Sequence, residues 1–123
     1  MKALLDTNVV IDLQKGLLAR SLPRGVYLLS VISELELRSI HGLDATSQSS
    51  LNAFLAEISI VELNEQVKEN TVRLRRMHRL RLPDAIIAAS AVAHNAILLT
   101  NDQRLLTIPE VQSRALELKH ESA

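Results

Sequence analysis

The sequence predicts an α/β fold built on a parallel sheet, and three observations predict it. Short apolar runs alternate along the chain with longer segments that carry helical spacing. Two of those runs stop abruptly at N-cap clusters, Asp6-Thr7-Asn8 and Asn101-Asp102, as a strand does when it hands over to a helix. The stretch 26–31, Val-Tyr-Leu-Leu-Ser-Val, is apolar on both faces, as a strand covered on both sides should be. Strands alternating with helices imply right-handed βαβ crossovers and helices on both faces of the sheet.

The elements follow in order. Ala3-Leu4-Leu5 opens the first strand, and Val9, Val10, Ile11 and Leu13 suit the helix that follows, which ends at Gly16. After the second strand, Ser33 and Glu36 have the spacing of a capping box and predict a helix running toward His41-Gly42. A third helix is expected over 46–57, with Leu51, Phe54 and Leu55 on one side, and a third strand over 58–63. A basic helix is expected over 64–80, closed by Leu82-Pro83, then an Ala-rich helix over 84–94 and a fourth strand over 96–100. Asp102 should cap one more helical turn, residues 114–118 a last strand, and 119–123 a frayed polar tail. The expectation is one domain, 1–123, without repeat, linker or low-complexity segment.

Composition narrows the functional classes. A chain of 123 residues can bury roughly two-thirds of its unfolded surface. With no cysteine, disulfides and thiolate metal sites are excluded, and a cytoplasmic location is expected. No apolar run approaches the ~20 residues that span a bilayer, and a strand opening at Ala3 leaves no room for a signal peptide. The formal net charge is +0, and Tyr27 and Phe54 are the only aromatics. Base stacking therefore cannot be the main mode of nucleic-acid recognition; a local basic surface and a metal would have to serve.

Four carboxylates carry the chemistry. Asp6 and Asp102 follow strand ends, the edge where open α/β sheets bind ligands. Glu36 and Asp84 lie near the starts of helices that would begin at that edge. Each has a structural role open to it: Asp6 and Asp102 as N-caps, Asp84 as a helix-dipole partner, Glu36 as half of a capping box. Four acids at one edge would repel one another and raise one another's pKa values, and a divalent cation is the common remedy. Oxygen-only ligands favour Mg²⁺ or Mn²⁺ over Zn²⁺. Such a site suits polarising a phosphate and activating a water for in-line displacement. No Gly-rich phosphate loop, Walker lysine or cysteine nucleophile competes.

Four stretches resemble, in order, the motifs of the PIN-domain family, and most closely the VapC-type toxins of toxin–antitoxin pairs. They are Leu4-Leu5-Asp6-Thr7-Asn8-Val9-Val10-Ile11-Asp12, Ser30-Val31-Ile32-Ser33-Glu34-Leu35-Glu36-Leu37, Leu82-Pro83-Asp84-Ala85-Ile86-Ile87-Ala88-Ala89 and Leu99-Thr100-Asn101-Asp102. The resemblance implies a Rossmann-like three-layer fold of about five strands in the order 3-2-1-4-5. It also implies a Mg²⁺- or Mn²⁺-dependent endoribonuclease acting on RNA of the tRNA or rRNA class. Asp6, Glu36, Asp84 and Asp102 match the acidic, metal-holding site, and Asn8 and Thr100 match polar residues that support it. A homodimer silenced by a small antitoxin is implied as well. Glu34 rivals Glu36, which is preferred because Ser30 and Ser33 set the register and Leu37 follows. The segment between Glu36 and Asp84 is shorter than in many such toxins, so the helical arm there is expected to be trimmed.

Asp12 lies about six residues along the first helix and is expected to point away from the acids. Residues 68–81 carry six Lys or Arg against one acid, Glu69. At 100° per residue, Val67, Thr71, Leu74 and His78 form the expected buried stripe, and Lys68, Arg75 and Arg79 an exposed flank suited to RNA phosphates. The four histidines have no ligand-like spacing. Two other readings stay open within the fold: an RNA-processing nuclease that is not a toxin, and a catalytically silent interaction domain. A haloacid-dehalogenase-like phosphatase fits poorly, because Asn8 stands where a second Asp is wanted and Lys119 is in the tail.

Overall fold

The computed structural model describes residues 1–120. The expected last residues of the tail, 121–123, lie outside the described residues. Five strands, β1 (Lys2–Leu5), β2 (Val26–Ser30), β3 (Ser59–Val61), β4 (Ile97–Leu99) and β5 (Ser113–Arg114), form one sheet in the order β3-β2-β1-β4-β5. Every neighbouring pair is parallel. The strand order expected from the resemblance is the order observed.

Strand alternation splits the core into two layers. Leu4, Leu28 and Leu98 face one side, against Val67 and Leu74 of α4 (Glu65–Met77) and Ala85, Ala88 and Ala89 of α5 (Leu82–Ala93). Ala3, Leu5, Leu29 and Leu99 face the other, against Val9 and Val10 of α1 (Thr7–Gln14), Leu37 of α2 (Val31–Arg38) and Leu51 and Leu55 of α3 (Ala45–Glu57). This is why the strands read as apolar on both faces. The alanines of α5 remove side-chain bulk where that helix lies on the sheet and on α4.

The chain leaves β1 toward β2 and β3, then crosses back to place β4 on the other side of β1. The carboxyl ends of β1 and β4 therefore flank the topological switch point, where open α/β sheets form a crevice. Asp6 directly follows β1, and Asp102 follows β4 after two residues.

Several boundaries differ from the sequence expectation. The α2 helix starts a turn early, because the Ser30 hydroxyl accepts the Ile32 amide at 3.2 Å and makes Ser30, not Ser33, the N-cap. The basic helix stops at Met77: His78 is extended, and Leu82-Pro83 open α5 instead of closing α4. Proline suits that first turn, since its missing N–H would have no helical partner there. Arg79 consequently lies in the link between α4 and α5 and not on a helical stripe. Asn70 joins Val67, Thr71 and Leu74 as buried, while His78 is only half-buried.

The last strand is two residues long, not the expected 114–118. The Asn101 side chain takes the Leu116 amide at 2.8 Å and draws the chain away from β4. Leu118 then pairs antiparallel with Leu18, and the Lys119 amide donates to the Leu17 carbonyl at 2.8 Å. Among the described residues, no helix is long and apolar enough to cross a membrane.

Candidate active site at the switch point

Asp6 is held from two sides. Its Oδ1 accepts the Thr7 amide at 2.8 Å, and its Oδ2 accepts the Thr100 hydroxyl at 2.7 Å. Thr100 is fully buried, and its oxygen in turn accepts the Asp102 amide at 3.0 Å. One hydroxyl thus locks the ends of β1 and β4 together and fixes both acids relative to each other. Asp102 caps α6 (Gln103–Leu106) by accepting the Arg104 amide at 2.8 Å on Oδ1. The N-cap roles of Asp6 and Asp102 are therefore real, but each carboxylate keeps lone pairs beyond them.

Glu36 reaches the same place through Thr7. The Thr7 hydroxyl lies 2.7 Å from Glu36 Oε1 and 2.8 Å from the buried Ser33 Oγ. A hydroxyl has one proton, so the carboxylate receives it and Ser33 donates to Thr7 in turn. With Ser30 capping α2, Glu36 has no capping duty left. Glu34 is engaged elsewhere: Arg38, one turn on, donates to its Oε2 from Nε at 3.1 Å and from Nη2 at 2.9 Å. The geometry favours Glu36 over Glu34 as the acid beside the crevice.

Electrostatics tie the four together. Burial pushes the Asp6 carboxyl up; bonds from Thr100 and Thr7 pull it back, and the charges of Asp84 and Asp102 raise it again. Asp84, in the first turn of α5, is also pushed up, first by burial and then by Asp102. Arg104 and Arg81 draw Asp84 down, and Glu36 opposes them. Among the described residues, none of the four acids stands in an ion pair.

The cluster is not a closed cage. Among the described residues, no three acidic or histidine side chains are placed to enclose a metal ion. A hard divalent cation still fits the donor chemistry, because Mg²⁺ needs only one or two direct carboxylates and keeps several waters. Neutralising acids that raise one another's pKa values is what such an ion would do.

A cavity of about 170 Å³ opens here, lined by Asp6, Asn8, Val9, Asp12, Asn101 and Asp102. Asn8 and Asp12 are one turn apart on α1 and share a face, so Asp12 borders the crevice and does not point away from it. Asn8 lines the cavity and makes no side-chain hydrogen bond among the described residues. The residues that sequence reasoning missed are Thr7 and Ser33. Thr7 reads as one of three N-cap residues, and its partner lies 26 positions away. The usable signal was Ser33 itself, a small hydroxyl one helical turn before the apolar Leu37, which needs a partner once that face is buried.

A family model described as PIN domain matches residues 3–111, nearly the whole described chain. The chain belongs to the PIN-domain family. Solved structures agree with this PIN fold. A toxin–antitoxin complex from Klebsiella pneumoniae contains a chain 28% identical, with TM-score 0.71, covering 89% of this chain and 94% of that one. VapBC2 from Rickettsia felis, bound to a DNA fragment from its promoter, gives TM-score 0.77 at 21% identity, covering 95% of this chain and 100% of that one. VapBC-1 from nontypeable Haemophilus influenzae gives 0.73 at 24%, covering 94% and 98%. Comparison with curated protein sequences yields no match. In this PIN domain Thr7 joins Asp6 to Glu36, and Thr100 joins Asp6 to the Asp102 amide, at the switch point of the sheet.

A wider cleft, of about 700 Å³, does not hold the acids. It is lined by Arg75, Arg76, Arg79 and Arg81 together with Thr71, Val72, His78, Leu80 and Leu82. Three acids that act on one another's charge mark the site for chemistry better than cavity size does. Of the cations expected to meet phosphate, Lys68 is paired with Glu65 at 3.3 Å, and Arg75 Nε donates to the Leu80 carbonyl at 3.3 Å.

Proposed function

We propose that this PIN domain is a Mg²⁺- or Mn²⁺-dependent endoribonuclease, hydrolysing RNA phosphodiester bonds as the toxin of a toxin–antitoxin pair. The observation that carries the reading is the gathering of acids at the switch point: Thr100 joins Asp6 to the Asp102 amide, Thr7 joins Asp6 to Glu36, and none of these acids stands in an ion pair among the described residues. Asp6, Asp84, Asp102 and Glu36 would hold the ion between them, one or two of them directly and the others through its waters. When bound, it would neutralise the acids, polarise the phosphate and lower the pKa of water. Thr100 and Thr7 keep the acid oxygens oriented while substrate enters. Glu36, with Oε1 held by Thr7, has its second oxygen available to accept a proton from an attacking water.

The toxin assignment draws on the solved structure from Klebsiella pneumoniae, which is a toxin–antitoxin complex. An antitoxin partner and a homodimer belong to the same reading. Leu55 is core and Phe54 is half-buried, so neither offers a fully exposed contact to a second subunit. A mass by light scattering of twice 13.6 kDa at tens of micromolar is expected; the monomer mass would remove the dimer from this reading.

The direct test is incubation of total tRNA and rRNA with the protein, with and without Mn²⁺. Discrete fragments appearing only with the metal are expected, and intact RNA under both conditions would leave a catalytically silent domain. RNA should also lie along the Arg-lined cleft. The double change Arg75→Ala and Arg79→Ala should flatten the salt dependence of log K by about 1.4 to 1.8, since each single-strand or duplex phosphate contact contributes roughly 0.7 to 0.9. An unchanged slope would assign that cleft to protein contacts instead.

A further inference from the structure

We infer that Ser33 is a positioning residue for Glu36, acting through Thr7: its buried hydroxyl donates to Thr7 Oγ1 and so commits the single Thr7 hydroxyl proton to Glu36 Oε1. The inference rests on the ribonuclease reading above and adds to it a residue that touches neither ion nor RNA. Ser33 lies on α2, on the turn before Glu36, and Thr7 opens α1 beside Asp6. Thr7 Oγ1 sits 2.8 Å from Ser33 Oγ and 2.7 Å from Glu36 Oε1, so side chains from two helices form one short chain of oxygens.

The polarity of that chain follows from counting protons. Thr7 has one hydroxyl proton and two oxygen neighbours, and the carboxylate of the two can only accept. Were Thr7 to donate to Ser33 instead, a hydroxyl lone pair would face a carboxylate oxygen at 2.7 Å, which is repulsive. Ser33 must therefore donate to Thr7, and among the described residues its hydroxyl has no other partner. That bond fixes the Thr7 hydroxyl from behind and leaves its proton one acceptor, Glu36. The Thr7 amide meanwhile donates to Asp6 Oδ1 at 2.8 Å, so a Thr7 held by Ser33 keeps two acids in register.

A buried helical hydroxyl with no further role behaves differently in this fold. Thr71 and Ser90, also buried within helices, each donate to the carbonyl four residues back, Val67 and Ile86, at 2.7 Å. Ser33 is fully buried yet forgoes that bond and reaches across to α1. Nor does it cap its own helix, since Ser30 does so. Glu36 is where such support is needed. Its side chain is long and exposed, and holding it in one place opposes considerable rotamer entropy. With Oε1 fixed, Oε2 remains free to act.

The test is a cycle in the full chain: Ser33→Ala, Thr7→Val and the two together. Each is read by Mn²⁺ affinity, from the rise in melting temperature across a metal titration, and by kcat and KM for RNA cleavage. Thr7→Val should lower kcat roughly 10- to 100-fold, the usual cost of losing a group that orients a metal-holding side chain. Ser33→Ala, one bond further out, should lose about 5-fold in kcat and a similar factor in Mn²⁺ affinity, with KM unchanged. The double variant should be no worse than Thr7→Val, because Ser33 has no route to Glu36 once the Thr7 hydroxyl is gone. In a Glu36→Gln background, Ser33→Ala should likewise cost no further Mn²⁺ affinity. Losses that multiply, or a Ser33→Ala protein that melts lower while Mn²⁺ affinity and kcat hold, would make Ser33 a packing residue and overturn the inference. Ser33→Cys nearly keeps the volume but donates weakly, so it carries the same comparison where alanine fails to fold. A wild type that binds Mn²⁺ but cuts no RNA would overturn the ribonuclease reading alone, with the Mn²⁺ affinities still deciding on Ser33. A wild type that binds no Mn²⁺ would overturn both.

Discussion

Replacing Asp6 by Asn lowers metal-dependent RNA cleavage by on the order of 10³-fold or more while leaving the fold intact. The loss is large because Asp6 is the acid at the centre of the cluster: it is buried, bonded on both oxygens, and exposed to the charges of Asp84 and Asp102. Asparagine retains one oxygen to accept the Thr7 amide, so the start of α1 survives. It lacks the charge that a hard divalent ion needs. The same variant separates binding from chemistry. At Mn²⁺ about tenfold above Kd, ligand linkage contributes about 1.4 kcal/mol to wild-type stability, or roughly 5 °C in melting temperature. Asp6→Asn should show almost none of this rise. A variant that still melts higher with Mn²⁺ but no longer cuts would place the ion on the remaining acids and leave Asp6 a role in the chemical step alone.

Thr100→Val should lower cleavage by about 10- to 100-fold, the usual cost of removing a group that orients a metal-holding side chain. Valine has nearly the same shape, so packing is preserved. What disappears is the donor to Asp6 Oδ2 and the acceptor for the Asp102 amide, both within a fully buried hydroxyl. Breaking two bonds there should also cost stability, about 1–3 kcal/mol. The pH dependence has a definite sign. The Thr100 bond is one of the effects holding Asp6 down against burial and its acidic neighbours. Without it, Asp6 keeps its proton to a higher pH, and the acid limb of the pH–rate profile moves upward. A valine variant with lower activity but an unmoved acid limb would show that Thr100 acts only by position. In the metal-free protein the linkage runs oppositely to that of an ion-paired acid. Asp6 and Asp84 titrate above 3.8 when folded, so their protonation favours the fold below 3.8, and that contribution fades as pH rises through their raised values. Stabilisation by Mn²⁺ should therefore increase over the same upward range, as protons and metal compete for the same oxygens.

The helix caps at Asp6 and Asp102 were legible in the sequence because their signals are local. Asp6 and Asp102 stand where an apolar run meets a helix start, and the cap geometry that betrays them spans one or two residues. The strands were legible for the same reason, since burial on both faces forces a continuous apolar run whatever surrounds it. Boundaries were less so. The Ser33–Glu36 spacing fits a capping box, yet Ser30 offered a cap three residues earlier and extended the helix by a turn.

By itself the sequence determined the alternation of strands and helices, the placement of Asp6 and Asp102 after strand ends, and the scarcity of aromatics that turns recognition toward charge. Tertiary structure alone decided how those pieces meet. Thr100 reaches Asp6 across 94 positions and Thr7 reaches Glu36 across 29, distances over which no local periodicity carries information. It also decided that Leu55 faces the core, that Asp12 borders the crevice, and that α4 ends at Met77. The physical reason is common to all of these. Caps and periodicity express bonds between residues a few positions apart, whereas a crevice at a switch point exists only once β4 has crossed over to pair with β1.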